Sequence, residues 1–425
     1  MQVWGTDGDI RPMIALGAGL KANGHQVTIS IASIDNKSYA GLCAKTGITM
    51  IKAPLNIESN LDGMSSHKGK PASSIKMMEN LLERTLYPYL PELFTASKQL
   101  CERNDAVIGH FSSFYLKEAA KLQGIPYISV SYWPGLMPSE NEPPFFFPYL
   151  GKGLAKFSWS IVLAAFDMIL KKKIDAFYSE NSLPPIKHVM TGAWMSDDLN
   201  LTACSKIFFN EPKDWQDSGK IRITGFWNVP DSVEHCDFTP ELKDFLTRRG
   251  EHPVFMTLGS SLQMDPAKCM ETMIEAARLY KRKVIIQTGT DKYQPNTFLQ
   301  NIYFSGRMPH REILPFCLAG VHHCGAGTTQ TVTRAGLPSV PLYFMDEQRS
   351  WGEQLYKHGI ASKPLEFLRS TPAQIAESIR LVANSAKMKD TAETISEKMH
   401  AEDGVKEAVG IINEFLSKRT PLQAQ

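Results

Sequence analysis

The residues from Gly320 to Pro338 have the types and the spacing of a site for a diphosphate. They read GVHHCGAGTTQTVTRAGLP, so an apolar strand runs into Gly325-Ala326-Gly327, and Thr328 and Thr329 then open a helix. Backbone amides and hydroxyls at a helix N-terminus stabilise negative charge. His323, at the end of the strand, can donate to a phosphate oxygen without a metal. A glycine turn with incidental histidines would explain the glycines, but not the paired histidines and threonines.

This segment begins a series of motifs that resembles a known family. His322–Thr329, Arg334–Pro338, Glu347-Gln348 and Trp351-Gly352 are similar to the donor-binding signature of two-domain, nucleotide-sugar-dependent glycosyltransferases. Near the N-terminus, Gly5–Pro12 (GTDGDIRP) resembles the first loop of one branch of that superfamily. The branch contains the sterol glucosyltransferases and the transferases that decorate glycopeptides and other natural products. The resemblance spans nearly the whole chain.

The resemblance implies the GT-B fold, in which two Rossmann-like, doubly wound α/β domains face each other across a cleft. The first domain would bind mainly the acceptor, the second would bind the donor, and the last helix would cross back to the first domain. A UDP-sugar would be the donor substrate, with no resident cofactor and no metal. The motif positions imply these donor-binding residues: Gly259, Ser260, Ser261, Arg307, Met308, His310, His323, Gly325, Gly327, Thr328, Thr329, Asp346, Glu347 and Gln348.

Two of these positions depart from the family pattern. The acid that holds the sugar hydroxyls beside the glutamine is usually an aspartate, whereas here it is Glu347, preceded by Asp346. This difference leaves the identity of the sugar open. Arg307 stands where the plant members have a stacking tryptophan, and the nucleotide base would bind through the backbone at Met308.

Asp9 is the candidate general base. An acceptor hydroxyl that attacks the anomeric carbon must lose its proton, and a carboxylate at a strand-to-helix turn facing the cleft can take it. His110, at the end of a predicted strand, would pair with Asp9 or act itself. The alternatives are that Asp9 or Asp7 only caps the helix and that His110 is a buried core histidine. We expect that helix to begin near Pro12, because proline suits the first helical position.

Aromatic residues in the first half are candidates for an apolar acceptor pocket. The segment Met137–Tyr149 (MPSENEPPFFFPY) is a loop dense in proline and phenylalanine, and a packed surface loop is equally compatible with it. The acceptor-binding residues that we predict are Asp7, Trp133, Phe145, Phe146 and Phe147.

The elements that must position all these residues follow an α/β pattern. Short runs rich in valine and isoleucine alternate with helical stretches, which is typical of parallel sheets covered on both faces. The predicted strands are 26–31, 48–53, 106–111, 127–132 and 199–203, and the alternation starts again with 221–225, 254–258, 284–287, 302–305, 320–323 and 339–343. The strand before Gly5 has only Met1–Trp4, so either the chain is trimmed or this strand is unusually brief.

A hinge is expected at Trp227–Pro240, which has two prolines, two aspartates and no hydrophobic period. The predicted organisation is an acceptor-binding domain at 1–226, a linker at 227–240, a donor-binding domain at 241–403, and a C-terminal helix at 404–425 that packs back on the first domain.

The composition excludes several classes of protein. Lys and Arg number 46 against 44 Asp and Glu, and a net charge of +2 argues against a nucleic-acid partner. Seven cysteines without a CxxC pair predict reduced thiols in a cytoplasmic protein. We expect neither a secretory leader nor a membrane span. Phe157–Leu170 (FSWSIVLAAFDMIL), interrupted by Asp167 and followed by three lysines, predicts a buried or lid helix, with peripheral membrane contact as the alternative.

The function these observations predict is an inverting glycosyltransferase. It would move a hexose, glucose from UDP-glucose above all, to a hydroxyl of a lipophilic acceptor of the sterol, terpenoid, polyketide or flavonoid type. The alternatives are a lipid-linked sugar transferase or a nucleotide-sugar epimerase of the same fold, or a non-catalytic protein that binds lipid or a membrane surface.

Overall fold

The structure, a computed structural model, describes residues 1–53, 66–67, 70–71, 73–230, 236–288 and 301–419. The chain divides into two compact units. Unit 1 comprises Met1–Asn60, Met78–Val233 and Glu402–Gln425, and unit 2 comprises Leu61–Met77 and Glu234–Ala401. Residues 231–235 of the predicted hinge and 420–425 of the predicted last segment lie outside the described residues.

The strands, in chain order, are β1 (Gln2–Gly5), β2 (Thr28–Ser33), β3 (Thr49–Lys52), β4 (Ser66–His67), β5 (Lys70–Pro71), β6 (Val107–His110), β7 (Tyr127–Ser131), β8 (Leu199–Thr202), β9 (Ile221–Ile223), β10 (Val254–Thr257), β11 (Val284–Gln287), β12 (Ile302–Ser305), β13 (Ala319–His322), β14 (Ser339–Tyr343) and β15 (Leu365–Glu366).

The α-helices are α1 (Asp7–Ala22), α2 (Ala40–Lys45), α3 (Ser74–Thr85), α4 (Leu90–Cys101), α5 (Phe114–Gln123), α6 (Lys152–Phe166), α7 (Lys172–Glu180), α8 (Lys213–Ser218), α9 (Pro240–Thr247), α10 (Pro266–Tyr280), α11 (His310–Ile313), α12 (Ala326–Arg334), α13 (Asp346–Lys357), α14 (Pro372–Ala383), α15 (Ala386–Ala401) and α16 (Gly404–Ser417). Two π-helical segments lie at Asp167–Lys171 and Val189–Trp194.

Unit 1 is built on a parallel sheet of seven strands in the order β3-β2-β1-β6-β7-β8-β9. Neighbouring residues of one strand face opposite sides, so Val3 joins the core beneath α1, α2 and α16, whereas Trp4 joins the core beneath α4 and α5. Both faces are covered, which explains why the strands are continuous apolar runs rather than alternating ones.

Two elements of unit 1 differ from the sequence-based expectation. Strand β9, expected to open the second half, pairs in parallel with β8 and ends the first sheet. Helix α1 begins at Asp7 rather than near Pro12, because Thr6 and Asp9 form a capping box that starts the helix earlier. The brief strand β1 is nevertheless central, since it pairs with β2 over four residues and with β6 through Gln2 and Gly109.

The last helix, α16, packs against α1 within unit 1. Asn413 of α16 lies 2.7 Å from His25, through Oδ1 and Nε2. At the start of α16 the backbone comes very close to Gly225, the second residue after β9, because a Cβ on Gly404 would lie 2.5 Å from its carbonyl carbon. Glycine at position 404 is therefore what allows α16 to begin there.

The apolar segment predicted at Phe157–Leu170 belongs to a much longer helix. Helices α6 and α7 run on through the π-helical segment between them as one helical rod, Lys152–Glu180. By length and composition alone this rod could cross a membrane, and 22% of its apolar window is buried. The expectation of a buried helix holds for one side only, because Trp159 and Leu170 are buried whereas Phe157 and Met168 are exposed, and the alternatives of a lid and of peripheral membrane contact stay predictions.

Unit 2 is built on a second parallel sheet, in the order β12-β11-β10-β13-β14-β15. One face packs against α10 and α14, and the other against α9, α11 and α12. Strand β13 is central and ends at His322, so the segment that follows it leaves the sheet at the carboxyl edge, where parallel α/β sheets bind ligands. Two parallel α/β units are thus confirmed.

Candidate active site

Asp9 has two different surroundings for its two carboxylate oxygens. Oδ2 accepts hydrogen bonds from the backbone N–H of Thr6 at 2.9 Å and from the Thr6 hydroxyl at 3.4 Å. Oδ1 lies 3.7 Å from Nε2 of His110, just beyond hydrogen-bond distance. The cap and the pairing with His110, which we posed as alternatives, are therefore compatible: one oxygen caps α1, while the other faces the histidine.

Gly5 provides the space for this carboxylate. Its φ of +136° lies in a region that L-residues with side chains rarely adopt. A Cβ built on Gly5 would lie 2.2 Å from Oδ2 of Asp9. Both the backbone conformation and the neighbouring carboxylate therefore require glycine at the end of β1.

His110 is buried among aromatic rings at the end of β6. Its Nδ1 lies 3.0 Å from the Ser112 hydroxyl, and its Nε2 is buried without a hydrogen-bond partner. Tyr132 stacks on the imidazole at 5.3 Å and also donates a 2.5 Å hydrogen bond from its hydroxyl to the backbone oxygen of Asp9. Tyr132 thus joins the two candidate catalytic residues.

The environment shifts the ionisation of both groups. Burial raises the pKa of the Asp9 carboxyl to about 6, against the hydrogen bonds from Thr6, which lower it. Burial lowers the pKa of His110 to about 3. Above about pH 6 the pair therefore consists of a carboxylate and a neutral imidazole. In that state Asp9 can accept a proton, which is what a general base must do.

Asp7, the predicted acceptor-binding residue of the same loop, is held by protein groups. Its carboxylate accepts a 2.8 Å hydrogen bond from the Tyr39 hydroxyl and pairs with the Lys37 ammonium, which also lies 2.9 Å from Asp35. Burial alone would raise the pKa of Asp7, but Lys37 and Tyr39 hold it below its usual value. Asp7 thus takes part in an ion-pair network that fixes the β2–α2 connection to α1.

The predicted aromatic lining of the acceptor pocket lies in two places. Trp133 is half-buried against the core beneath α4 and α5, next to the turn at Pro134–Leu136. Phe145 packs edge-to-face on Phe146 and contacts Phe209, while Phe146 and Phe147 are exposed. Phe146 and Phe147 therefore lie at the surface of the loop, and their predicted contact with an acceptor stays a prediction.

In unit 2, His323 lies between two glycines. A Cβ on Gly259 would lie 2.5 Å from its Cε1, and a Cβ on Gly325 would lie 2.5 Å from its Nε2. The imidazole is buried, and its Nδ1 has no hydrogen-bond partner. Burying an unpaired polar atom costs free energy unless a ligand supplies the partner. The imidazole of His323 therefore contacts both glycine-containing loops, Gly259–Ser261 after β10 and Gly325–Gly327 after β13.

Some residues around His323 are buried or hydrogen-bonded within the protein, and others lie beside open space. His322 uses both ring nitrogens within the protein: Nε2 lies 3.0 Å from the Ser339 hydroxyl, and Nδ1 accepts from the Cys324 N–H at 3.2 Å. Thr329, predicted to bind the donor, is fully buried. Thr328 is half-buried at the N-terminus of α12, and a Cβ on Gly327 would meet nothing within 4 Å. The open space over this helix end lies beside Gly327 and Thr328.

Gln348, in the first turn of α13, is hydrogen-bonded to the loop Gly259–Ser261. Its Oε1 accepts a 2.8 Å hydrogen bond from the Phe344 N–H, and its Nε2 donates to the Ser261 hydroxyl at 3.3 Å. Gln348 and Ser261 are both buried, whereas Gly259 and Ser260 are exposed. The buried pair orders the loop, and the exposed residues form its ligand-accessible edge.

The segment predicted to receive the nucleotide base is organised by Gln287, which the sequence analysis missed. Its Nε2 donates to the Met308 carbonyl at 3.1 Å, and its Oε1 lies 2.8 Å from Nε2 of His310 and accepts from the Thr257 hydroxyl at 3.1 Å. Arg307 is exposed beside them. His310 is thus oriented by Gln287, and its predicted contact with the donor stays a prediction.

A positional signal could have revealed the residues that were missed. Gln287 ends β11 and Tyr132 follows β7, and the carboxyl ends of parallel strands are where such sheets bind ligands. At the start of α13, Asp346 is exposed and Glu347 is half-buried. Within the described part of the chain, no group of three or more His, Cys, Asp or Glu side chains is arranged to hold a metal ion.

Comparisons with known proteins agree with this arrangement. Residues 271–415 match the family described as the C-terminal domain of erythromycin biosynthesis protein CIII-like proteins. The chain is 26% identical to an O-mycaminosyltylonolide 6-deoxyallosyltransferase from Streptomyces fradiae, over 98% of this chain and 97% of that one. It is 25% identical to a sterol 3-beta-glucosyltransferase from Arabidopsis thaliana, covering 96% of this chain but 64% of the plant protein.

Solved structures share the fold over nearly the full length. A glycosyltransferase of kitacinnamycin superposes with a TM-score of 0.69 at 18% identity, covering 98% of both chains. The spinosyn rhamnosyltransferase SpnG, complexed with thymidine diphosphate, gives 0.64 at 16% identity, covering 97% of this chain and all of that one. The predicted GT-B fold is confirmed. The chain is a glycosyltransferase of the GT-B fold, related to the sterol and natural-product glycosyltransferases.

Proposed function

We propose that this enzyme transfers a hexose from a nucleoside-diphosphate sugar to a hydroxyl of a lipophilic acceptor in a single displacement that inverts the anomeric centre. The observation that carries the proposal is the buried imidazole of His323, held between Gly259 and Gly325 with an unpaired Nδ1 at the N-terminus of α12. A histidine, open glycine amides and a helix N-terminus together make a site for a diphosphate.

The chemistry on the donor side is stabilisation of a leaving group. As the bond between the anomeric carbon and the diphosphate oxygen breaks, its electron pair goes to the diphosphate. The helix dipole of α12, the amides beside Gly327 and the Thr328 hydroxyl would stabilise that charge. We propose that no metal is required, because these groups supply the positive potential that Mg²⁺ supplies in other transferases.

The chemistry on the acceptor side is removal of one proton. Oδ1 of Asp9 would take the proton of the acceptor hydroxyl as its oxygen bonds to the anomeric carbon. Thr6 and Gly5 hold the carboxylate in place. His110, which faces Oδ1, is buried and uncharged at neutral pH because burial lowers its pKa. A carboxylate whose pKa lies near 6 is ionised at neutral pH yet basic enough to accept a proton in the transition state.

The proposal also names the nucleotide, the sugar and the class of acceptor. We propose UDP-glucose as the donor, on the strength of the motif resemblance, with dTDP-sugars as the alternative that the dTDP complex of a structural neighbour makes worth testing. The acceptor is proposed to be a polycyclic or macrocyclic alcohol, because named relatives act on a sterol and on a macrolide. We place the reaction in the cytoplasm, since all seven cysteines carry free thiols.

A thermal-shift and calorimetry series tests the donor site. The full chain is titrated with UDP, dTDP, UDP-glucose and UDP-N-acetylglucosamine, with and without EDTA. A ligand at 100 times its dissociation constant stabilises the fold by about 2.7 kcal/mol. We expect a nucleotide-selective shift that EDTA leaves unchanged and that His323→Ala abolishes. His400→Ala, a change of a surface histidine on α15, is the matched control.

Transfer itself is tested by mass spectrometry of reactions with a panel of sterols and macrolide aglycones. The anomeric configuration of the product, read by NMR, decides between inversion and retention. Binding of no nucleotide, or equal binding by His323→Ala, would refute the donor site. A retained anomeric configuration would refute the single displacement.

A further inference from the structure

The helical rod Lys152–Glu180 presents an apolar face to solvent. Leu154, Phe157, Ile161 and Met168 are all exposed, Phe157 to 62% and Met168 to 80%. Their spacings of three, four and seven residues place them on one side of a helix. We call these four residues the apolar face. It is a continuous stripe and not a scatter of single exposed side chains, and such stripes mark interaction surfaces.

The other side of the same rod is fixed to unit 1. Ala155, Trp159, Leu170 and Ile174 are buried in its core, and the Trp159 indole donates a 2.8 Å hydrogen bond to the Glu142 carbonyl. Withdrawing the rod to cross a membrane would expose this buried set. The rod therefore lies along the surface of unit 1, and whatever covers the apolar face must come to it from outside.

The loop before the rod extends the face. Phe146, Phe147, Tyr149 and Leu150 are exposed immediately before α6. Aromatic residues beside an apolar helix are typical of the boundary between lipid headgroups and hydrocarbon, because their rings tolerate both. Loop and helix together expose eight large apolar side chains within 23 consecutive residues, 146–168.

The segment that carries the face is rich in lysine. The segment 144–173 has five lysines and one acid, a net charge of +4 in a chain whose total is +2. The single acid, Asp167, is turned inward, since it accepts hydrogen bonds from His188 Nδ1 at 2.6 Å and from the Val189 N–H at 2.8 Å. The outward charge within residues 144–173 is therefore that of the lysines, while four acids lie just outside these bounds, at Glu140, Glu142, Asp175 and Glu180.

Three of the five lysines have acidic neighbours. Lys171 lies 2.6 Å from Asp175, and both side chains are partly exposed. Lys156 lies 3.0 Å from Glu140, and Lys173 lies 3.5 Å from Glu83, with all four side chains in contact with water. Exposed ion pairs contribute little free energy and exchange readily for other partners. Lys152 and Lys172 are likewise exposed. The lysines can thus turn toward an anionic surface without a large cost.

We propose that the apolar face docks on an anionic lipid surface, with Phe157, Ile161 and Met168 entering the acyl boundary and the lysines meeting the headgroups. Amphipathic helices with an apolar side and flanking lysines bind membranes in this way. A protein partner fits less well, because the cores of protein interfaces are depleted in lysine. The docking goes beyond the transfer reaction and does not depend on it.

Flotation of the full chain with vesicles tests the docking. The vesicles are phosphatidylcholine alone or phosphatidylcholine with 30% phosphatidylglycerol, at low and physiological salt. We expect at least ten-fold more protein to float with the anionic vesicles. Phe157→Asp should reduce that fraction at least five-fold, and Lys172→Glu should reduce it on anionic vesicles only. Leu122→Asp, which changes a side chain 60% exposed on α5 of the same unit, should stay within two-fold of wild type.

Three results would overturn the proposal. Wild type could fail to float with either vesicle, or Phe157→Asp could float as well as wild type. Light scattering could instead show a wild-type dimer that Phe157→Asp converts to a monomer, in which case a second copy covers the face. Because all three substituted side chains are exposed, melting temperatures near that of wild type are expected and confirm that each variant is folded.

Discussion

Replacing Gly5 with alanine should move the Asp9 carboxylate without removing it, so the variant tests whether the position of the carboxylate matters for transfer. The substitution leaves the carboxylate in the chain but puts a Cβ 2.2 Å from its Oδ2. Protein Cβ atoms essentially never come closer than 3.0 Å to a neighbour, so the carboxylate must retreat by at least 0.8 Å, the difference between 3.0 and 2.2. That movement should break the hydrogen bonds from Thr6 and shift Oδ1 relative to the proposed acceptor hydroxyl.

The expected loss follows from this displacement. A misplacement of about 1 Å in a reacting group costs on the order of 100-fold in rate, so kcat/KM for transfer should fall about 100-fold. The strained φ of +136° should add about 1–3 kcal/mol of destabilisation. Affinity for the nucleotide should not change, because the proposed diphosphate site around His323 belongs to unit 2.

The assay combines steady-state transfer, calorimetric nucleotide binding and thermal melting. Gly24→Ala is the matched control, since Gly24 also has a positive φ, +90°, but nothing lies within 4 Å of its Cβ position. The control should lose stability without losing kcat/KM. A folded Gly5→Ala variant whose kcat/KM stays within three-fold of wild type would show that the position of Asp9 does not matter for transfer.

Three further predictions concern protonation, the donor cradle and the last helix. Because burial raises the pKa of Asp9 to about 6, kcat/KM should fall ten-fold per pH unit below about pH 6 and be constant above that pH. The substitution Asp9→Asn should lower kcat/KM by about 10²–10⁴-fold. Gly259→Ala should weaken nucleotide binding, measured by calorimetry, at least ten-fold, because its Cβ would displace the His323 ring. Gly404→Ala should lower the free energy of unfolding by about 1–3 kcal/mol through overpacking, whereas Gly410→Ala, with open space on the same helix, should raise it by up to about 1 kcal/mol.

Each of these three has an outcome that contradicts it. A pH profile without a limb near pH 6, or one that survives in Asp9→Asn, would remove the carboxylate from the proton transfer. Unchanged affinity in Gly259→Ala would mean that the His323 ring does not need its present position. Equal unfolding energies for the two helix variants, measured by denaturant titration, would mean that the close contact with Gly225 relaxes at no cost.

The sequence was sufficient to predict the two parallel sheets, because their strands are buried on both faces and read as short apolar runs. Boundaries were harder to predict when a tertiary contact decided them. Helix α1 begins at Asp7 because the Asp9 side chain closes a capping box with Thr6, and the prolyl signal at Pro12 pointed five residues further on. Strand β9 was predicted to restart the alternation of strands and helices although it precedes the predicted boundary at residue 226, and its pairing with β8 places it in the first sheet.

The motifs predicted which loops form the candidate site. They did not predict which side chains of those loops are buried in the core. His323 and His322 are adjacent in sequence, but the alternation of a strand sends one ring between two glycines and the other into the core beside Ser339. Gln287 carries no motif, and its role arises from contacts with Met308 and His310, 21 and 23 residues away. The sequence therefore shows only that Gln287 ends a strand, and its hydrogen-bond partners cannot be predicted from neighbouring residues.

The position of α16 has a consequence for how the chain is made. Unit 1 takes its first strand from residues 2–5 and its last helix from residues 404–417, while the segment 234–401 between them belongs to unit 2. During synthesis the later unit can finish folding while the earlier one still lacks the helix that covers α1. The apolar surface of α1 then stays uncovered until residues 404–417 have been synthesised, and a truncation near residue 400 would damage the unit that was translated first.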